Sequence, residues 1–98
     1  MGLGDDQRRF TGMVADLILF AISQGYGLTF GDAYAKIGHK DGSFHYKRLA
    51  VDLNLFKAGV YLTETEDHAP LGKKWKEMGG TWGGDFKHPD GNHYSYKE

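Results

Sequence analysis

A histidine and an aspartate, both side chains that ligate metal ions, lie seven residues apart within segment 43–53. From Leu49 onward apolar residues alternate with others, which predicts a strand that places Asp52 on the face opposite Leu49 and Val51. An aspartate in the middle of such a strand is costly to bury unless a partner or a cation offsets its charge. His45 and Asp52 are therefore candidates for one metal site.

The two side chains can reach the same ion only if the chain bends between them. A straight strand would separate them by roughly 23 Å and place them on opposite faces. A straight helix would separate them by roughly 10 Å along its axis. Zinc requires donor atoms within roughly 2.0–2.2 Å. Shared ligation therefore predicts a loop or strand end at His45, a bend at residues 46–48 and a strand from about Leu49.

Two spaced motifs carry a resemblance to a known family. Ser43-x-His45 followed by Ala50-x-Asp52 resembles the first zinc motif of the D-alanyl-D-alanine carboxypeptidases and phage L-alanyl-D-glutamate endopeptidases, hydrolases that cut peptidoglycan stem peptides. The family's second motif is an acidic residue three positions before a histidine, which is similar to segment 90–93, Asp-Gly-Asn-His. The resemblance covers roughly residues 28–96. Its Trp-Gly-Gly element at 82–84 and the run 48–56 are most similar to the small bacteriophage endolysins.

The resemblance implies a zinc site and a division of roles. His45, Asp52 and His93 would ligate Zn²⁺ and leave a fourth position open for water, which is typical of catalytic zinc. Asp90 would take a proton from the attacking water and deliver it to the leaving amine. Ser43 would orient the histidine through its hydroxyl. Taken without the upstream motif, segment 89–92 also reads as a simple β-turn.

One position departs from the family pattern. An arginine that family members carry just after the tyrosine is replaced by Ala35. Lys36, Lys40 or Arg48 would then have to supply the positive charge near the substrate, and Trp82 is a further candidate for substrate contact. The L-Ala–D-Glu endopeptidase activity is the favoured prediction, with D-alanyl-D-alanine carboxypeptidase as the alternative. The substitution at position 35 also fits a degenerate, non-catalytic module that binds cell wall or a virion partner.

Composition is consistent with this chemistry and excludes other classes. The chain has 98 residues, no cysteine and five histidines, so a zinc site must use histidine and carboxylate ligands. Its net charge is −1 and its basic residues are scattered, so we expect no nucleic-acid partner. The most apolar stretch, 13–22, is interrupted by Asp16 and too short to span a bilayer, so we expect no membrane insertion.

The same features predict how the protein is made and organised. The N-terminus lacks a basic leader, so we expect cytoplasmic synthesis without a signal peptide. Action on the cell wall would then follow holin-mediated release or delivery from a virion. We expect residues 1–98 to form a single peptidase-like domain and to act as a monomer.

The elements that would position these residues predict an α+β fold, with two helices packed on a small, mostly antiparallel sheet and the zinc site on the sheet face. A helix capped by Asp5 or Asp6 should run to about residue 24. A short strand is predicted at 28–34, and a hairpin at 50–56 and 60–63. Thr65 should cap a second helix over 66–78. His68 is predicted at the surface, and His39 is an alternative candidate ligand.

Overall fold

The computed structural model describes residues 2–34, 37–38 and 42–98. Within them, two α-helices lie on one side of a five-stranded antiparallel sheet, which confirms the predicted α+β fold. The predictions made for Ala35, Lys36, His39 and Lys40 lie outside the described residues. No helix in the described ranges has the length and apolar character needed to cross a bilayer.

The first helix, α1 (Leu3–Ser23), forms because its apolar residues recur at helical spacing. These apolar residues are largely buried, with Leu17 at 0% exposure. The predicted cap was wrong: the helix begins after Gly2, and Asp5 and Asp6 lie inside its first turn. Carboxylates there still favour the helix, because they face the positive end of its dipole. Gly25, at φ 92°, adopts the left-handed conformation that ends the helix.

The sheet is built around one long strand. It consists of β1 (Tyr26–Phe30), β2 (Ala50–Lys57), β3 (Val60–Leu62), β4 (Thr81–Trp82) and β5 (His93–Ser95). One edge of β2 pairs with β1, while its other edge pairs with β5 at the start of the strand and with β3 at the end. β4 pairs with β5 and completes the sheet. The first strand begins two residues earlier than predicted and ends at Phe30.

The hairpin predicted from the alternating pattern is present. Lys57 pairs with Val60, so Ala58 and Gly59 form a two-residue turn between β2 and β3. Both have positive φ, 51° and 79°, as the tight hairpin turn requires. β2 runs without interruption from Ala50 through Asp52 to Lys57, where the turn begins.

The second helix begins later than predicted. A 3₁₀ helix spans Thr65–His68, and α2 follows at Ala69–Glu77. Thr65 is not the cap: Glu64 accepts a hydrogen bond from the backbone of Asp67, whose side chain accepts one from the backbone of Glu64. Pro70 lies in the first turn of α2, where its missing N–H is not needed.

The core lies between the helices and one face of β2. Leu49, Val51, Leu53 and Leu55 are each 4% exposed or less, as their alternation predicts. Trp75 of α2, at 0% exposure, donates hydrogen bonds from its indole N–H to the carbonyl oxygens of Thr81 and Ser95. These contacts fix β4 and β5 against the helix. Asp52 lies on the opposite face of β2, away from the helices.

Candidate metal centre

The register between β2 and β5 brings two of the predicted ligands together. Asp52 is the direct cross-strand partner of His93. In antiparallel pairs, side chains at facing positions lie on the same side of the sheet. The backbone of Asp52 is held as well, because its N–H donates to the carbonyl of Asp32 and its carbonyl accepts from Gly31. His93 Nδ1 lies 3.6 Å from Asp52 Oδ1.

The bend predicted between His45 and Asp52 is present and delivers the third side chain. Residues Phe44–Lys47 form a 3₁₀ turn that starts at Ser43, whose hydroxyl accepts a hydrogen bond from the His45 N–H. Arg48 then adopts φ 58°, a left-handed conformation that redirects the chain into β2. The turn brings His45 Nε2 to 3.3 Å from Asp52 Oδ1. Ser43 therefore bonds the backbone of His45 and caps the turn.

The three side chains form a donor set suited to a metal ion. Among the described residues, one donor atom each from His45, Asp52 and His93 lie within 4.8 Å of one another. The two histidines are 3% and 6% exposed. A tetrahedral zinc site with bonds of roughly 2.0–2.1 Å needs donors roughly 3.3–3.5 Å apart, close to the separations of 3.3 and 3.6 Å to Asp52.

The Asp52 carboxylate supplies a further test of this fit. Its Oδ1 is buried and receives no hydrogen bond of ordinary geometry from any residue the structure describes. A buried carboxylate oxygen in that position is costly. A cation between the three donors would satisfy it, so the residues present fit a metal ion.

Asp90 lies beside this donor set. It is exposed and lines the same cavity of about 230 Å³, into which the three donor side chains also open. Its N–H donates to Gly83 O at 2.9 Å, and its carbonyl accepts from the His93 N–H at 3.1 Å. These hydrogen bonds connect the backbone of the turn to His93, the first residue of β5. The other residues lining the cavity are Ser43, Phe86, His88 and Glu98.

This arrangement agrees with a comparison of the whole sequence. A model of the family described as D-alanyl-D-alanine carboxypeptidase matches residues 37–96, more than half of the chain and all of the residues of the donor set. The chain belongs to this family. No curated protein matches the chain. The family is metal-dependent, and His45, Asp52 and His93 are the described residues that could hold its ion.

In this family member, the Trp-Gly-Gly element shapes the turn that carries Asp90. Trp82 is 8% exposed and does not line the cavity. Its indole N–H donates to Gly91 O at 2.7 Å, so the ring holds the turn without lining the cavity. A Cβ on Gly83 would overlap the Asp90 carbonyl and come within 2.8 Å of His93 Cβ. Glycine at 83 thus allows the turn to lie close against β5, the strand that carries His93.

Replacing Gly83 by alanine is expected to destabilise the protein by about 1–3 kcal/mol, because the added methyl group has no space. The chain must shift to make room for this methyl group, and a shift that moves His93 should also weaken zinc binding. Gly12→Ala is the matched control, because a Cβ on this exposed helical residue meets nothing within 4 Å. Denaturant unfolding and zinc titration test both effects. Parent-like values for Gly83→Ala in both measurements would contradict the role given to this glycine.

Arg48 does not lie in the metal cavity. Its guanidinium carbon is 4.3 Å from the ring centroid of Tyr34, over the aromatic face. Together with Val51 and residues of α1, it lines a separate cavity. Among the described residues that line the metal cavity, none is a lysine or an arginine, whereas Asp52, Asp90 and Glu98 are all acidic. The acidic lining favours a bound cation.

The positions of Glu98, which lines the metal cavity, and His68, which lies in the core, were not predicted correctly from the sequence. Glu98 Oε1 lies 2.7 Å from His93 Nε2, and a single glutamate outside both motifs gave no signal for this contact. His68 was predicted at the surface, which was wrong: it is 3% exposed, and its Nδ1 is hydrogen-bonded to the Tyr94 hydroxyl at 2.8 Å. Burial lowers the pKa of His68, although Asp67 and Asp90 act in the opposite direction. A neutral His68 supports β5 from the core side.

Carboxylates set the protonation of His93. Burial of the imidazole works to lower its pKa, but the nearby carboxylates of Asp52 and Glu98 outweigh burial and raise the pKa of His93 above the ordinary 6.5. A protonated imidazole cannot ligate a metal, so a metal ion bound at His93 would have to displace this proton. Because the pKa of His93 is raised, protons begin to compete with the metal ion for this imidazole at a pH above 6.5.

We therefore expect zinc affinity to fall as pH is lowered, with the fall beginning above pH 6.5, the ordinary pKa of histidine. One displaced proton corresponds to roughly a tenfold loss of affinity per pH unit below the pKa. Competition with a chromophoric chelator between about pH 8 and pH 5.5 measures this loss. Affinity that stays constant down to pH 6.5 and falls only below it would contradict a raised pKa for His93.

Proposed function

We propose that this protein is a zinc-dependent peptidase that hydrolyses an amide bond of the peptidoglycan stem peptide, specifically the L-Ala–D-Glu bond. The observation that carries the proposal is the convergence of His45, Asp52 and His93, with donor atoms within 4.8 Å of one another, beside an exposed carboxylate in one cavity. Membership of the D-alanyl-D-alanine carboxypeptidase family supports peptidase activity. The choice of the L-Ala–D-Glu bond rests on the similarity to small phage endolysins.

Each residue has a role that its position supports. His45 Nε2, Asp52 Oδ1 and His93 Nδ1 are the atoms that would hold the ion, since these are the ones that converge. When bound, zinc supplies Lewis acidity, which polarises a carbonyl and lowers the pKa of water to about 7. Asp90 would accept the proton of the attacking water at its carboxylate and pass it to the leaving amine. Its exposure leaves that carboxylate accessible to substrate.

The cavity itself limits what the site can bind. A volume of about 230 Å³ accommodates only part of a stem peptide, so the rest of the substrate must lie along the open surface. Phe86 and His88 also line the cavity and would contact the substrate there. With three acidic residues lining the cavity, a free substrate carboxylate would be repelled in the absence of the metal.

Defined stem peptides provide the test. The purified protein, loaded with zinc, is incubated with a peptide that contains both the L-Ala–D-Glu and the D-Ala–D-Ala bond, and the products are identified by mass spectrometry. Cleavage after L-Ala that stops on chelation and returns with added zinc is the expected result. A zinc-loaded protein that leaves both the peptide and purified peptidoglycan intact would contradict the proposed activity.

Two other functions are supported by specific observations. The description of the matched family favours release of the terminal D-alanine, which the same digestion would show as a different product mass. The absence of lysine and arginine among the described cavity residues favours a non-catalytic module that binds cell wall. Such a module would bind zinc and sediment with purified peptidoglycan without cleaving it.

A further inference from the structure

The contact between Glu98 and His93 lies on the side of the imidazole that faces away from the other donors. His93 Nδ1 points toward Asp52, at 3.6 Å from its Oδ1, while His93 Nε2 lies 2.7 Å from Glu98 Oε1. The ring thus bridges two carboxylates, one at each nitrogen. A nitrogen this close to a carboxylate oxygen must carry the hydrogen, because a carboxylate accepts and does not donate.

Glu98 is held where this contact requires it. The Thr81 hydroxyl donates to the main-chain carbonyl of Glu98 at 3.2 Å. Thr81 belongs to β4 and pairs with Ser95 of β5, the strand that carries His93. The same pair of strands therefore positions the imidazole and the carboxylate. The Glu98 side chain is 26% exposed and that of His93 is 7% exposed, so solvent screens the contact only in part.

Glu98 is outside the donor set. Among the described residues, the group of three side chains whose donor atoms all lie within 4.8 Å of one another consists of His45, Asp52 and His93, and Glu98 is not a member of it. A carboxylate beyond a ligand imidazole orients the ring, selects its tautomer and makes the ligating nitrogen more basic. This role differs from direct ligation, because the glutamate acts on the metal only through His93.

We propose that Glu98 is the positioning residue that accepts the His93 Nε2–H and so presents the Nδ1 lone pair to the metal. The inference rests on the proposed zinc site. Its consequence is specific: Glu98 contributes to metal affinity without contacting the metal. Removing the carboxylate frees the ring to rotate and lets the proton occupy Nδ1, where it competes with the ion.

Zinc affinity of three variants tests the proposal. Glu98→Ala is expected to bind zinc about 10–100-fold more weakly than the parent. Glu98→Gln retains an oxygen that can accept the hydrogen bond, so this variant should lose clearly less zinc affinity than Glu98→Ala. Glu77→Ala is the matched control, because Glu77 is exposed at the end of α2 and should bind zinc as the parent does. Affinities are measured by chelator competition, and thermal unfolding of each metal-free protein checks the fold.

A spectroscopic readout separates positioning from a general effect on folding. In the zinc-loaded parent, the His93 Nε2–H should appear in proton NMR as a slowly exchanging, low-field signal. We expect this signal to be lost in Glu98→Ala and retained in Glu98→Gln. In the cobalt-substituted proteins, the visible spectrum should be altered in Glu98→Ala and should match that of the parent in Glu98→Gln.

The outcomes distinguish this inference from the proposed function. A parent that binds zinc and cleaves stem peptide, with a Glu98→Ala variant of equal zinc affinity, overturns the role of Glu98 alone. Equal losses in the alanine and glutamine variants, accompanied by loss of metal-free stability, overturn it in favour of a structural role. A folded parent that binds no zinc overturns the proposed function and this inference with it.

Discussion

Replacing Asp90 by alanine is expected to lower the rate of stem-peptide hydrolysis about 10²–10⁴-fold, the usual contribution of a general acid–base residue. Zinc binding should stay at the parent level, because Asp90 lies outside the three-residue donor set. Asp90 is exposed and lines the metal cavity, where the proposed mechanism has its carboxylate accept a proton from the attacking water and pass it to the leaving amine. Single-turnover or steady-state rates on a defined stem peptide, measured with zinc content, provide the test.

The turn at Asp90 makes the choice of substitution important. The hydrogen bonds that hold this turn come from its backbone, to Gly83 and from His93, so both Asp90→Ala and the isosteric Asp90→Asn should fold normally. Neither variant can accept the proton, so both should show the same loss of rate, about 10²–10⁴-fold. Asp85→Asn is the control, because its exposed carboxylate forms an ion pair with Lys76 at 3.0 Å and does not line the cavity. Activity that survives in Asp90→Asn would assign the proton transfer to another group.

Replacing His93 by alanine is expected to reduce zinc content from about one ion per chain to none detectable and to abolish hydrolysis, since two protein ligands rarely retain a catalytic zinc. The effect should exceed that of Glu98→Ala, which leaves all three ligands in place. Metal analysis of the purified, dialysed protein measures it. The substitution also removes the side chain that faces Asp52 across the β2–β5 pair, whose register the backbone maintains.

His88→Ala is the matched control for this experiment. His88 is exposed and lines the same cavity, but it does not belong to the donor set. His88→Ala should retain one zinc per chain, and its zinc content is compared with that of His93→Ala. If His88→Ala loses zinc as His93→Ala does, or if a folded His93→Ala variant still holds a full complement, the assignment of ligands is wrong.

Short-range patterns predicted much of the fold. The spacing of apolar residues in α1, the alternation from Leu49 through β2 and the glycine at 59 each depend on residues close in the sequence, and each matches the structure. Helix starts were predicted less well. The caps at Gly2 and Glu64 depend on how neighbouring residues bond to the backbone, and several local arrangements are close in free energy.

The sequence by itself determined the types of ligand and the need for a bend. Without cysteine, a zinc site had to use histidine and carboxylate, and seven residues between His45 and Asp52 could close on one ion only through a turn. The resemblance to the peptidase family added His93 and Asp90 as candidates.

Only the tertiary structure decided which of these side chains meet, and at which atoms. Asp52 faces His93 because β2 pairs with β5 in one register, and the chain between them folds into a hairpin, a helix and a turn. Burial of His68, the position of Arg48 over Tyr34 and the contact from Glu98 to His93 all depend on that assembly. The physical reason is that strand register and core packing fix contacts between residues distant in sequence, whereas local patterns fix only the elements that carry them.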